Sequence, residues 1–126
     1  MTAVVYDAGA LLAADRSSRK IWLQHRVWTD EGVVPSVPAP ALAQVSRSPR
    51  QAQLRRLLRG CDVIALDEDE AHAVGRLLAV SGTSDITDAA VVVAARDRGA
   101  TILTSDRKDI AKLLAASDER CPIVDV

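Results

Sequence analysis

The amino-acid sequence predicts a three-layer α/β/α domain with a mostly parallel central sheet. Short apolar segments rich in β-branched residues alternate with longer helical patterns along almost the whole chain, which is typical of parallel strands joined by helical crossovers. The chain has 126 residues, of which 48% are hydrophobic, enough to bury one core. A single domain spanning residues 1–126 is therefore expected, and it needs no cross-links for stability.

The first half of the chain contains two strand and helix units. Ala3–Tyr6 is an apolar strand that ends at Asp7, and Ala10–Ala14 turns helical. Arg16–Trp28 continues as an amphipathic helix that packs on one side of the sheet. Gly32–Val37 is the second strand.

Prolines mark the exit from the second strand and the start of the next helices. Pro40 lies in the first turn of a helix over Ala41–Val45, and Pro49 ends that helix or opens the next one. The next helix turns leucines inward and arginines outward before Gly60 closes it. A third strand over Asp62–Leu66 follows, and then a helix over Asp67–Val80 whose first turn is acidic.

The segment Thr83–Leu114 reads as helix, turn, strand and acidic loop. The apolar run Ala89–Ala95 is too long and alanine-rich for a strand, and Gly99 resembles a helix C-terminal glycine. Thr101–Leu103 is a short buried strand that precedes the acidic loop. Pro122–Val126 is expected to be one more strand.

Three aspartates are candidates for one site at the carboxyl edge of the sheet. Asp7 and Asp106 each follow a strand, and Asp88 lies in the first turn of a helix. If the strands are neighbours, the three carboxylates meet at one rim, where a cation must relieve their repulsion. Oxygen ligands favour Mg²⁺ or Mn²⁺. The competing interpretation is that Asp85 and Asp88 merely cap a helix.

The net charge of −1 hides a segregated pattern. Between Ser46 and Gly60 there are five arginines and no acid, whereas residues 62–70 hold five acids and no base. The basic segment is a candidate surface for RNA phosphates, and its alternative is a solvated helix face. Its members are Arg47, Arg50, Arg55, Arg56 and Arg59.

The sequence gives no sign of a cysteine-based metal or redox site, of a base-stacking RNA-binding module, or of a secreted or membrane protein. Cys61 and Cys121 belong to no metal-binding or redox motif and are expected to be buried, free thiols in a reducing compartment, with a disulfide as the minor alternative. The two tryptophans are expected to be core or helix-packing residues, and the chain has no aromatic platform for stacking bases. No signal peptide or membrane span is expected, so a cytoplasmic protein is predicted.

The ordered set of acidic motifs resembles the PIN-domain family, specifically VapC-type toxins of bacterial toxin–antitoxin pairs. The motifs are VVYDAGALLA, ITDAAVVVAA and TILTSDRKDI, and the resemblance covers essentially the whole chain. It implies a PIN-like α/β/α fold and a Mg²⁺-dependent endoribonuclease. It also implies a homodimer and a small VapB-like antitoxin as partner. Carried over by position, the metal-site acids are Asp7, Asp88 and Asp106.

One position departs from the family pattern. Where the family has a Glu after the second strand, this chain has Gln44, which keeps a carbonyl oxygen but lacks the charge that strengthens Mg²⁺ binding. Asp85 or Asp109 is a candidate for the missing charge. Thr104 or Ser105 is expected to orient the metal bridge or the phosphate.

Two other functions stay open from the sequence alone. A PIN-like module without catalysis, because of Gln44, would only bind RNA or an antitoxin. A phosphotransfer domain built around Asp7 would require a second Asp two residues later, where this chain has Gly9.

Overall fold

The computed structural model describes residues 2–126 and contains one five-stranded sheet with seven helices among them. The strands are short: β1 Val4–Tyr6, β2 Ser36–Pro38, β3 Asp62–Ile64, β4 Thr101–Thr104 and β5 Ile123–Asp125. The helices are α1 Ala8–Asp15, α2 Arg19–Asp30, α3 Ala39–Val45, α4 Ala52–Leu58, α5 Glu68–Ser81, α6 Ile86–Arg98 and α7 Arg107–Ala116.

All neighbouring strands are parallel, in the order β3-β2-β1-β4-β5. The predicted α/β class with a parallel sheet is therefore confirmed. β1 and β4 are neighbours, with Tyr6 opposite Leu103. The residues that follow these strands, Asp7 and Asp106, consequently lie at the same edge of the sheet.

Helices cover both faces of the sheet, because right-handed crossovers place α1 to α4 on one face and α5 to α7 on the other. α1 packs against α2 and α4, whereas α5, α6 and α7 pack against one another. α6 lies against the central strands, and every residue from Ala89 to Ala95 is buried. α3 contacts both α1 and α6 and so closes one end of the two layers.

The prediction of an acidic loop after β4 is wrong, because the chain forms helix α7 there. The carboxylate of Asp106 caps the helix, and Ile110, Leu113 and Leu114 turn inward at helical spacing. The helical spacing of these three apolar residues is not evident from the sequence, because the stripe is short and directly follows the charged first turn from Arg107 to Asp109.

Several other boundaries move by one to four residues. β2 begins at Ser36 rather than Gly32, and β3 ends at Ile64 rather than Leu66. α6 begins at Ile86, with Asp85 as its N-cap. Neither cysteine is in a disulfide, but both are half-buried rather than buried as the sequence predicts.

Among residues 2–126, no single helix has both the length and the apolar composition of a membrane span.

Candidate metal centre

Asp7 is held rigidly at the junction of β1 and α1. It is 3% exposed, and its Oδ1 accepts a hydrogen bond of 2.7 Å from the Ala10 amide. Its Oδ2 accepts a hydrogen bond from the Thr104 hydroxyl. Burial raises the pKa of Asp7, and the hydrogen bonds from Thr104 and Ala10 oppose that rise.

Thr104 ties the two strand ends together. Its hydroxyl oxygen also accepts a 2.8 Å hydrogen bond from the Asp106 amide, and its side chain is fully buried. Thr104 therefore orients the Asp7 carboxylate and the backbone of Asp106. The neighbouring residue Ser105 is exposed.

Asp88, Asp106 and Asp109 form the tightest group of carboxylates among the described residues. Each has an oxygen within 4.8 Å of an oxygen of the other two. Asp106 caps α7, with its Oδ1 3.5 Å from the Asp109 amide nitrogen, so the first turn of this helix aims both acids at one point. Asp85 accepts a 2.9 Å hydrogen bond from the Asp88 amide, so it does cap α6.

The acids repel one another strongly. Burial is the main cause that raises the pKa of Asp88 to about 7, followed by the charges of Asp85, Asp7, Asp106 and Asp109. The pKa of Asp109 is raised because its carboxyl group hydrogen-bonds to the Asp106 carboxylate. Within residues 2–126, none of these acids lies in an ion pair with a basic side chain. This all-oxygen, uncompensated donor set fits Mg²⁺ or Mn²⁺.

A cavity of about 390 Å³ opens at this edge of the sheet. All three acids of the predicted triad line it, together with Asp85, whereas Asp109 does not. Residues from α1, α3, the loop after α3 and the chain after β4 complete the lining. Those lining residues are Asp7, Gly9, Gln44, Arg47, Asp85, Asp88, Ser105 and Asp106. Asp109 lines an adjoining cavity of about 260 Å³, which Asp85 and Asp88 share. The structure therefore brings Gln44 to the rim beside the carboxylates, as the sequence comparison predicted.

Arg47 is the only one of the five segment arginines that lines the acid cavity. Its Nη1 donates to the carbonyl oxygens of Ala43 at 2.8 Å and Ser46 at 2.9 Å, which fixes the guanidinium against the end of α3. Arg50, Arg55 and Arg59 are exposed outside the cavity. Arg56 stacks on a tryptophan ring, with its guanidinium carbon 4.1 Å from the ring centroid. The basic segment thus divides among several surfaces.

Gln51, which the sequence did not single out, builds the loop that carries Arg47. Its carbonyl oxygen accepts from the amides of Arg47 at 2.7 Å and Ser48 at 3.0 Å. Its amide donates to Val45 O at 3.0 Å and to Asp15 Oδ2 at 3.1 Å. Three of these partners are close to Gln51 in sequence, whereas Asp15 reaches it only through the packing of α1 against α4.

Gly9 determines how closely α1 approaches the chain after β4. A Cβ at this position would lie 1.8 Å from Ser105 Oγ and 2.8 Å from Ser105 Cβ. Only glycine lets α1 approach the chain after β4 closely enough to bring Asp7 and Asp106 to one rim. The available signal was the sequence Asp-Ala-Gly directly after a buried strand.

Comparisons with known proteins identify the fold. No model of a known protein family and no curated protein matches the chain. Among solved structures, the chain is similar to VapBC2 of Rickettsia felis bound to a DNA fragment from its promoter, with 14% identity, 99% of each chain covered and a TM-score of 0.73. It is also similar to DNA-bound VapBC of Salmonella typhimurium, with 15% identity, 99% of this chain and 98% of that chain covered, and a TM-score of 0.70.

A third similar structure is PAE2754 from Pyrobaculum aerophilum, with 21% identity, coverage of 99% and 91%, and a TM-score of 0.64. All three likenesses extend over nearly the full length of both chains. The chain therefore has the same fold as these proteins, and the PIN-like α/β fold that the sequence predicts is confirmed.

Proposed function

We propose that this chain is a divalent-metal-dependent endoribonuclease that acts as the toxin of a toxin–antitoxin pair. The observation that carries the proposal is the uncompensated carboxylate group at the carboxyl edge of the sheet, with oxygens of Asp88, Asp106 and Asp109 within 4.8 Å of one another. Structural caps alone do not explain it, because capping leaves the acids repelling each other without a counter-charge.

Asp88, Asp106 and Asp109 would hold Mg²⁺ or Mn²⁺, with Asp7 behind them at the same edge. A bound divalent cation supplies a water of lowered pKa and neutralises charge on a phosphate oxygen. The chain itself positions the substrate. Arg47 offers the free part of its guanidinium to the phosphate across the cavity, and the exposed hydroxyl of Ser105 donates from the opposite wall.

Asp7 is not suited to attack a phosphate as a nucleophile. Both of its carboxylate oxygens accept hydrogen bonds, and the side chain is almost completely buried. Its position favours the metal-dependent hydrolysis over a phosphotransfer mechanism through an aspartyl phosphate.

The test is cleavage of a structured RNA by the purified chain with Mg²⁺ or Mn²⁺ and with EDTA. Cleavage with metal only, lost in Asp106→Asn and kept in Asp69→Asn, supports the enzyme. Asp69 is an exposed acid in the first turn of α5, so its variant controls for the change in charge. Folding of each variant is checked by circular dichroism. Metal-independent cleavage, or cleavage that survives in Asp106→Asn, rejects the proposal.

A second candidate function is a module that binds RNA or an antitoxin without cleaving it. Gln44 favours it, because this side chain lies at the rim of the acid cavity and supplies a neutral oxygen where a charged one is typical. RNA binding in a gel-shift assay, together with no cleavage under any metal, supports the module over the enzyme.

We also infer a small antitoxin as the partner of this chain, together with a homodimeric state. The support for the antitoxin is that two similar structures are VapBC assemblies bound to DNA. Co-expression with the neighbouring reading frame tests the first inference, because a cognate antitoxin should copurify and abolish cleavage. Analytical ultracentrifugation tests the second, because a monomer at micromolar concentration contradicts it.

A further inference from the structure

A pocket of about 410 Å³ lies between α2 and α4, away from the acid cavity. Three arginines line it, Arg19, Arg26 and Arg56, and no acidic residue does. Within residues 2–126, Arg19 and Arg56 form no ion pair, and Arg26 makes only an exposed contact of 3.9 Å with Asp30. The concentrated positive charge indicates an anionic ligand.

The wall of the pocket is a rigid stack of aromatic rings that reaches the core. Trp22 Nε1 donates to Ala14 O at 3.1 Å, and the edge of its ring meets the His25 ring at 88°. His25 is 8% exposed, and its Nδ1 lies 2.7 Å from the hydroxyl of the buried Tyr6. The sequence-based expectation that Trp22 only packs helices is incomplete, because its ring also forms part of this charged pocket.

The guanidinium carbon of Arg56 lies over the Trp22 ring, 4.1 Å from its centroid. The guanidinium forms no side-chain hydrogen bond or ion pair among the described residues, so its N–H groups are free to bind an anion. A preorganised guanidinium loses little conformational freedom when it binds a phosphate, and its outer face offers a surface on which a base stacks.

The pocket is connected to the metal centre by two short segments. Asp7 caps the start of α1, and Ala14 near its end accepts the hydrogen bond of Trp22; a rise of about 1.5 Å per residue puts these two contacts roughly 10 Å apart along the helix axis. The chain after α3 carries Arg47 at the acid cavity and Arg56 at the pocket. The two cavities therefore share α1 and the segment from Arg47 to Arg56.

We propose that the pocket between α2 and α4 is a second RNA-binding subsite, which holds a phosphate and a stacked base of single-stranded RNA beside the scissile bond. The proposal rests on the proposed endoribonuclease function, since it extends the path of the same substrate. RNA is favoured over an acidic peptide because the pocket combines three arginines with an indole ring, which suits a phosphate together with a stacked base.

The test uses the intrinsic fluorescence of Trp22 in the full chain. Trp22 and Trp28 are the two tryptophans, so Trp28→Phe leaves Trp22 as the sole emitter. A short unstructured RNA, titrated in EDTA to prevent cleavage, should change the Trp22 emission. If Trp28→Phe fails to fold, the same signal is read as the difference between the unmodified chain and Trp22→Phe.

Arg56→Ala should raise the Kd for this RNA about tenfold and lower the slope of log K against log salt by roughly 0.7, the loss of one phosphate contact. Arg56→Lys keeps the charge but not the planar stack, so it should restore the salt slope without restoring the fluorescence change. Arg76→Ala is the control, because Arg76 is an exposed arginine on α5 outside the pocket, and it should alter neither quantity.

Two outcomes overturn the proposal. One is a fluorescence response and an RNA affinity that Arg56→Ala leaves unchanged. The other is a Trp22 response to an acidic peptide and none to RNA, which assigns the pocket to a protein partner. Cleavage of a dinucleotide, too short to span both sites, separates this proposal from the nuclease itself. If both the unmodified chain and Arg56→Ala cleave the dinucleotide at equal rates with metal, the nuclease proposal stands even when the pocket proposal fails.

Discussion

Asp88 is the residue whose protonation depends most on whether the site contains a cation. It lies on α6 facing Asp106 and Asp109, and its pKa in the metal-free protein is about 7, mainly because of burial. In the unfolded chain its pKa returns to the ordinary value of 3.8. Protonation of Asp88 therefore stabilises the metal-free fold.

The sign of the pH dependence follows from these two values. The stabilisation by Asp88 is complete below about pH 4 and is lost as the pH rises to about 7. In EDTA at pH 8, Asp88→Asn should have a higher melting temperature than the unmodified chain. Its free energy of unfolding should be higher by about 1–2 kcal/mol after allowance for partial exposure, and the two proteins should be equally stable near pH 4. Thermal melts followed by circular dichroism across this range measure the difference, and a difference that is the same at every pH contradicts the assignment.

Gln44 contributes a neutral amide to the acid cavity where a carboxylate would add a negative charge. It lies on α3 at the rim of the acid cavity, three residues before Arg47. Gln44→Glu should tighten Mn²⁺ binding about tenfold and raise the rate of RNA cleavage, because a carboxylate binds a hard cation more strongly than an amide. Isothermal titration with Mn²⁺ and a cleavage assay measure the two effects.

Arg47 complicates the cleavage half of that experiment, because it lines the same cavity as position 44 and can pair with a new carboxylate there. The double variant Gln44→Glu, Arg47→Ala separates the effects. Tighter metal binding in both variants, with faster cleavage only where Arg47 is present, assigns the metal to position 44 and the phosphate to Arg47. Unchanged metal affinity in both removes Gln44 from the site.

At the scale of elements, the site depends on how closely α1 approaches the end of β4. Gly9, in the first turn of α1, faces Ser105 with no room for a side chain. Gly9→Ala should destabilise the fold by about 1–3 kcal/mol, because the added methyl group overlaps Ser105 and forces the two segments apart.

The matched variant is Gly9→Ala combined with Ser105→Gly, which removes both clashing atoms. We expect the double variant to recover most of the lost stability in urea denaturation. If it stays as unstable as Gly9→Ala, the contact with Ser105 is not the cause, and the single variant must act through α1 itself.

The elements differ in how far the sequence predicts them. Ala89–Ala95 is apolar on every side, so α6 was correctly expected to be buried. α7 was missed because its stripe of Ile110, Leu113 and Leu114 is short and follows a run of charges. The first turn of α7 places the Asp109 carboxylate beside that of Asp106. Without this helix, the proximity of the two acids cannot be derived from the sequence.

At the scale of the whole molecule, a bound cation should stabilise the native fold. The proposed ligands come from α6 and from the start of α7, so the unfolded chain has no equivalent site. Mg²⁺ or Mn²⁺ at a hundred times its Kd should add about 2.7 kcal/mol of stability. Differential scanning fluorimetry measures the effect, which should disappear in Asp106→Asn and persist in Asp69→Asn. An equal shift in both variants would indicate non-specific binding.

The overall architecture follows from local patterns, whereas much of the site does not. Alternating apolar segments predicted the parallel sheet, and the acids after β1 and β4 marked its functional edge. No local pattern, however, shows that Gln51 joins Asp15 and Arg47, or that Arg56 stacks on Trp22. The contacts of Gln51 with Asp15 and of Arg56 with Trp22 join segments that are distant in sequence, so they follow from the packing of α1, α2 and α4.

The hydrogen bond between Thr104 and Asp7 joins residues that are 97 positions apart. During synthesis at 5–20 residues per second, Asp7 therefore leaves the ribosome roughly 5–20 s before Thr104 follows it. Until then the nascent chain has neither the partner of Asp7 nor the acids of α7, and it cannot assemble the site. The acidic site can therefore form only after the segment from Thr104 through α7 has left the ribosome, however early Asp7 is made.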